Sequence, residues 1–325
     1  MTTITGPRAG GALRSVTMTS ISEGPAAGLA RETVSANGLD FAYVAAGDED
    51  APLALCLHGF PDSALTWRHL LPRLADAGYR AVAPWLRGYA PTAVPEVPEY
   101  QPAVIGTDAV ALHAVLGDPT AGPGVLIGHD WGAMAAYTAV RHPTANWRRL
   151  VALAVPPTPA VAQGFFTYDQ LRRSWYMFFF QHPLAELAVA NDDLEFVDRL
   201  WADWSPGYDA ATDLPAVKDA LRAPQNLAAA LGYYRATLGG VGISGDPEVA
   251  EMQGAADTTG PPLPTLYLHG ADDGCMGADL VPAAEPFLPD DGLSGTRVVP
   301  GTGHFLHLER PDEVNALILD FVGPA

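Results

Sequence analysis

The chain has 325 residues, 48% of them hydrophobic, and a formal net charge of −19 from 18 basic and 37 acidic side chains. That is ample apolar material for one large core with an inserted subdomain. A surface so acidic repels nucleic acid and anionic lipid, which excludes both as partners, and no run approaches the ~20 continuous apolar residues of a membrane helix.

Residues 1–31 open the chain with Gly, Ala, Ser and Thr and lack the apolar centre of a signal peptide, so a flexible tail and a cytoplasmic location are expected. Strand patterns follow at Glu32–Ala36 and Phe41–Ala46, joined at Asn37-Gly38 as an antiparallel pair. Leu53–Leu57, Arg80–Pro84, Gly124–Ile127 and Leu150–Val155 read as further strands, with helices near 65–76, 102–116 and 132–141 between the later ones. From 157 to 255 strand signals vanish and aromatics concentrate, as in Trp175-Tyr176, Phe178–Phe180, Trp201, Trp204 and Tyr233-Tyr234. This stretch reads as a helical lid inserted over the carboxyl ends of the strands, where open α/β sheets bind ligands. The alternation resumes at Pro264–Leu268 and Arg297–Val299. A last helix follows Pro311, with Asp312 and Glu313 at its positive end. Eight mostly parallel strands flanked by helices are thus expected, with 32–156 and 256–325 as the core and 157–255 as the cap. The two cysteines, Cys56 in a buried strand and Cys275 in a loop, show the spacing of neither a disulfide framework nor a structural zinc motif.

Gly128-His129-Asp130-Trp131-Gly132 lies between the strand ending at Ile127 and the helix starting near Ala133. This is the pattern of a nucleophile elbow, in which flanking glycines permit a tight strand-to-helix turn that pushes the central side chain outward. Here that side chain is aspartate. A serine alkylated at saturated carbon gives an inert ether, whereas an alkylated carboxylate gives an ester that water cleaves. The residue therefore suits displacement at sp³ carbon, in epoxides or alkyl halides. Gly303-His304 lies between the last strand and the last helix, where an imidazole can hang over the elbow as a base. His58, His129 and His307 sit beside motifs or turns and read as structural. Gly270-Ala271-Asp272-Asp273 follows a strand and offers two acids to orient that base. The alternative acid position holds Ala154-Val155-Pro156-Pro157, which cannot serve. His58-Gly59-Phe60-Pro61 ends the Leu53–Leu57 strand. There the Phe60 N–H, with that of Trp131, can form an oxyanion hole whose donors are worth ~2.7–4 kcal/mol each.

Over about residues 32–323 the sequence resembles the soluble epoxide hydrolases of the α/β-hydrolase fold. The likeness is densest at His58–Ser63, Ala77-Gly78-Tyr79-Arg80 and Gly128–Gly132. The resemblance implies Asp273 rather than Asp272 as the acid, by its glycine-to-acid spacing. It also implies Tyr176, within Tyr176–Pro183, and Tyr234, within Tyr233-Tyr234-Arg235, as the two phenols that bind the epoxide oxygen. Trp85–Pro91 departs from the family's acidic, glycine-rich loop. The implied reaction takes a small apolar epoxide and water to a vicinal diol through an ester on Asp130, with no cofactor and no metal. A homodimer is an open option. A haloalkane or haloacid dehalogenase shares the aspartate elbow, but the paired tyrosines favour the epoxide. A silent hydrolase-fold binding protein would not need an intact triad.

Overall fold

A computed structural model describes residues 2–4, 16–20 and 28–325. Its ten-stranded sheet comprises β1 (Thr2–Ile4), β2 (Val16–Ser20), β3 (Ala30–Ala36), β4 (Leu39–Ala46), β5 (Leu53–Leu57), β6 (Arg80–Pro84), β7 (Gly124–His129), β8 (Trp147–Leu153), β9 (Thr265–Gly270) and β10 (Gly295–Val299). The spatial order is β1-β2-β3-β4-β6-β5-β7-β8-β9-β10. Asn37 and Gly38, with φ of 48° and 75°, turn β3 antiparallel into β4 with the mirror-image turn that matches strand twist. β4 meets β6 antiparallel, and from β6 to β10 every neighbouring pair is parallel. β5, β6 and β7 are buried at every position, as strands covered on both faces must be, whereas β3 near the edge alternates buried with exposed.

Eight of these strands are the ones expected. The tail expectation is corrected in part. β1 pairs with β2, and β2 with β3 through Ser20 opposite Ala30, so these segments extend the sheet and cover backbone groups that β3 would otherwise leave unpaired. Residue 1 and residues 5–15 and 21–27 lie outside the described residues. The helix expected at 65–76 divides into a 3₁₀ turn, Ala64–His69, and α1 (Leu71–Asp76), with Pro72 at the second position of the new helix. α2 (Pro102–Leu116) and α3 (Trp131–Ala139) follow.

Between β8 and β9 there are only helices: α4 (Thr158–Gly164), α5 (Tyr168–Arg173), α6 (Trp175–Phe179), α7 (Ala185–Trp204), α8 (Leu214–Leu221), α9 (Pro224–Tyr234) and α10 (Pro247–Thr258). α7 is broken at Asn191–Leu194. The boundary expected at 255/256 falls inside α10, which packs on α2 and α3 of the core as well as on α4. α11 (Val281–Ala284), α12 (Leu306–Glu309) and α13 (Pro311–Val322) complete the chain. No helix among the described residues is long and apolar enough to cross a membrane.

From β5 the chain moves to β6 on one side and then returns to β7 on the other. Strand order therefore reverses between β5 and β7, and their carboxyl ends splay apart into the crevice where open α/β sheets bind ligands. The turns that follow these strands begin at His58 and Asp130.

Candidate active site

Asp130 occupies the turn between β7 and α3 with φ 52° and ψ −118°, a strained conformation for a residue with a side chain. Its own N–H donates to Leu153 O at 3.2 Å, and its carbonyl accepts from Ala133 and Met134 N–H at 2.9 and 3.1 Å. The flanking glycines leave room for no side chain. A Cβ on Gly128 would stand 2.3 Å from Gly132 O, and one on Gly132 would stand 2.2 Å from Leu57 O. Gly59 is excluded from substitution by the site itself, since its Cβ would meet the Asp130 carboxylate at 2.3 Å. The carboxylate stands at the amino end of α3, where the helix field favours negative charge.

The Phe60 N–H, after β5, donates to Asp130 Oδ1 at 2.8 Å, and the Trp131 N–H is the first of α3. His304, in the loop after β10, stands with Nε2 3.6 Å from Asp130 Oδ2. Its Nδ1 lies 2.9 Å from Asp273 Oδ2. The other Asp273 oxygen accepts from the Cys275 and Met276 N–H groups at 2.7 and 2.9 Å. Asp272, one residue away, is exposed. Burial opposes charge on His304, but Asp273, Cys275 and Asp130 outweigh it and hold the imidazole pKa well above its usual value. Burial likewise raises Asp273, yet His304, His269 and the Met276 N–H carry it below the ordinary carboxylate range.

Tyr176, in α6, and Tyr234, at the end of α9, line the same cavity as Asp130, with ring centroids 5.6 Å apart. Burial, reinforced by nearby charge that includes Asp130, pushes both phenols well above their ordinary pKa, so both are protonated. Tyr176 Oη lies 3.3 Å from Cys275 Sγ. Tyr234 Oη, His304 Nε2 and Trp131 Nε1 are buried with no hydrogen-bond partner among the described residues. Asp130, Trp131, Tyr176, Tyr234 and Cys275 line a cavity of about 230 Å³, whose other walls include Met134, Val161, Phe165 and Leu238.

The alpha/beta hydrolase family model matches residues 54–317. The chain belongs to the alpha/beta hydrolase family. This hydrolase is 32% identical to Epoxide hydrolase 3 of Xenopus tropicalis over 301 residues, covering 88% of the chain and 75% of that relative. It is 30% identical to Epoxide hydrolase A of Mycobacterium tuberculosis, over 89% of the chain and 96% of the relative. The crystal structure of Epoxide Hydrolase A from Mycobacterium thermoresistibile superimposes with a TM-score of 0.70 at 25% identity, covering 90% of this chain and 98% of that one.

The remaining histidines near the elbow brace the hydrolase's loops. His58 Nδ1 lies 2.8 Å from Gly59 O and its Nε2 accepts from the Leu86 N–H at 3.0 Å, while His129 Nε2 donates to His304 O at 2.9 Å. Burial pushes His58 down to about 4 and His129 to about 3, so both are neutral. Several contributors were not singled out from the sequence. The Trp204 carbonyl, at the end of α7, accepts from both Gly274 and His304 N–H groups at 3.1 and 3.0 Å, clamping the Asp273–Cys275 loop to the His304 loop. Trp201 Nε1 donates to Pro61 O at 2.7 Å and its ring stacks on Phe305, which ties the lid to the Phe60 turn. His269 Nε2 stands 3.9 Å from Asp273 Oδ2, and Cys275 proves to be a buried wall of the cavity. Nothing local in the sequence marks these roles except the aromatic density of the lid. Arg87 departs from the family loop but makes a buried two-pronged pair with Asp108, both contacts 2.6 Å, that fixes the Trp85–Pro91 loop to α2.

Proposed function

We infer that this hydrolase converts a small apolar epoxide and water to a vicinal diol through an ester on Asp130. The observation that carries the reading is an elbow aspartate with one oxygen on the Phe60 N–H and the other facing His304, opposite two protonated phenols. Asp130 Oδ2 attacks an epoxide carbon, the C–O bond breaks, and Tyr176 or Tyr234 gives its proton to the departing alkoxide. The ester's carbonyl oxygen is then Oδ1, already bonded to the Phe60 N–H. His304 takes a proton from water, which attacks that carbonyl, and the Phe60 and Trp131 N–H groups hold the oxyanion. On collapse the diol oxygen takes the proton from His304, and the regenerated Asp130 carboxyl returns a proton to the phenolate. Asp273 holds the imidazole in place and balances its charge. The apolar cavity walls support an apolar substrate.

One oxygen of the diol comes from Asp130 in this cycle. A single turnover in ¹⁸O-water with excess enzyme is expected to give largely unlabelled diol, with label entering Asp130 over repeated turnovers. Fully labelled first-turnover diol would mean direct attack by water and end the ester mechanism. A dehalogenase reading has one observation in its favour, since the unpartnered Trp131 Nε1–H offers a halide a donor. Halide leaves without a proton, however, so the paired phenols would have no task. A panel of epoxides and haloalkanes on the purified protein separates the two, and turnover of haloalkanes alone would reverse the assignment.

A further inference from the structure

We propose that Asp130, Cys275 and His304 form an inhibitory site for a thiophilic divalent cation, with Zn²⁺ or Cd²⁺ as the fitting ions. One donor atom from each of the three side chains lies within 4.8 Å of the other two, and all three residues are buried. The hydrolytic cycle gives the Cys275 thiol no task, yet its position is fixed. Its backbone N–H is held by Asp273 Oδ1, and its sulfur lies against Tyr176 Oη.

His304 is oriented as metal-binding imidazoles are. Nδ1 is tied to a carboxylate, which leaves Nε2 to face the cluster with no hydrogen-bond partner among the described residues and Asp130 Oδ2 3.6 Å away. One sulfur, one imidazole nitrogen and one carboxylate oxygen suit zinc or cadmium and do not suit magnesium or calcium, which take oxygen cages. Three protein ligands leave a fourth position for water from the cavity. Asp130 and Cys275 line that cavity, so an ion has a way in. Coordination requires the thiolate and the neutral imidazole, so Cys275 and the His304 imidazole each release a proton to solvent as the metal bonds form. An ion held there occupies both the carboxylate that attacks and the imidazole that activates water, so metal and epoxide exclude each other. The site itself stands on the three side chains and not on the identity of the substrate.

Titration of the full-length protein with Co²⁺ reads the site directly. We expect one equivalent to produce a thiolate-to-cobalt charge-transfer band in the near ultraviolet, lost in Cys275→Ser and in Cys275→Ala and bleached when Zn²⁺ displaces cobalt. Cys56 is sealed inside β5 and supplies no alternative sulfur. With an epoxide substrate, Zn²⁺ should inhibit reversibly, chelator should restore turnover, and excess Mg²⁺ should have no effect. In Cys275→Ser the inhibitory Zn²⁺ concentration should rise by more than the ~10–100-fold that loss of an outer-shell partner costs. Absence of the band in wild-type protein overturns the proposal, as does a cobalt spectrum that Cys275→Ser leaves unchanged. A cobalt complex without the thiolate band also overturns it and points to the sulfur-free group Asp62, His129 and His307 behind the elbow. The cobalt readout requires no catalysis, so its failure leaves the epoxide assignment standing.

Discussion

His304 stands between two carboxylates, Asp273 at 2.9 Å and Asp130 at 3.6 Å, and both help to raise its pKa well above the usual value. Both charges favour a proton on the imidazole and oppose the neutral form that can take one from water. In the proposed cycle, forming an ester on Asp130 would remove one of the charges that hold the proton, so His304 would become a better base at the step that needs one. Ester decay, followed by intact-mass spectrometry after a single turnover, should accelerate with rising pH and level off once the imidazole is neutral. In Asp273→Asn the rise should move to lower pH while the plateau falls by at least ~10²-fold. A decay rate flat in pH for both proteins would remove His304 as the base. The same shifts bear on stability, with opposite signs. His304, raised on folding, contributes stability that is complete below its unfolded pKa of ~6.5 and is lost as pH climbs through the folded value. Asp273, depressed on folding, contributes above its unfolded ~3.9 and loses that contribution as pH falls through the folded value. The phenols give a separate expectation. Tyr176→Phe or Tyr234→Phe alone leaves one proton donor and should retain reduced activity, whereas the double replacement should lose ~10²–10⁴-fold with the fold intact by circular dichroism. The two effects should be non-additive. A double mutant near the wild-type rate would reduce both tyrosines to lid packing.

At the scale of elements, the site depends on how closely β5, β7 and α3 approach one another. Gly132 in the first turn of α3 passes the end of β5 so tightly that an added Cβ would lie 2.2 Å from Leu57 O and 2.7 Å from His58 O. Those are backbone atoms and cannot rotate away, so Gly132→Ala must push α3 off the sheet. Overpacking of this kind costs ~1–3 kcal/mol. Urea denaturation should show that loss, and turnover should fall further than stability because Asp130 and the Phe60 N–H move apart. Full activity with unchanged stability would mean that the elbow is looser than its geometry. The lid is coupled to the same region through α7, whose Trp201 and Trp204 reach Pro61, Gly274 and His304. Lid and core therefore meet at the residues of the site and not only at its rim.

For the whole molecule, the net charge of −19 is the dominant electrostatic fact. Like charges spread over one compact body repel, and folding brings them closer than the unfolded chain does. Raising salt from ~0.01 to ~0.15 M shortens the Debye length from ~30 to ~8 Å, and Tm should rise over that range. Each kcal/mol of relieved repulsion corresponds to very roughly 2–4 °C for a chain of a few hundred residues. A Tm that falls with added salt would show that attractive ion pairs outweigh the repulsion. Buried pairs such as Arg87–Asp108 are little screened, so they should survive the titration.

Sequence alone determined the features whose causes are local. The Asn37-Gly38 hairpin, the fully apolar central strands and the glycine-flanked elbow with an aspartate at its centre all follow from dihedral freedom and side-chain period within a few residues. The eight strands of the core and the chain order of Asp130, acidic loop and His304 were legible for that reason. What only the tertiary structure decided is what converges from far apart. It aims Asp273 at His304 where the residues alone left Asp272 open and the resemblance favoured Asp273, makes Cys275 a wall of the cavity, and joins the Gly274 and His304 loops through the Trp204 carbonyl. It also adds β1 and β2 to an edge that reads as tail. In each case the deciding contact joins segments that the sequence keeps apart, and a pattern read along the chain carries no distance between them. Adjacent acids such as Asp272 and Asp273 are chemically alike, and only the turn of the backbone aims one at the imidazole and the other at water.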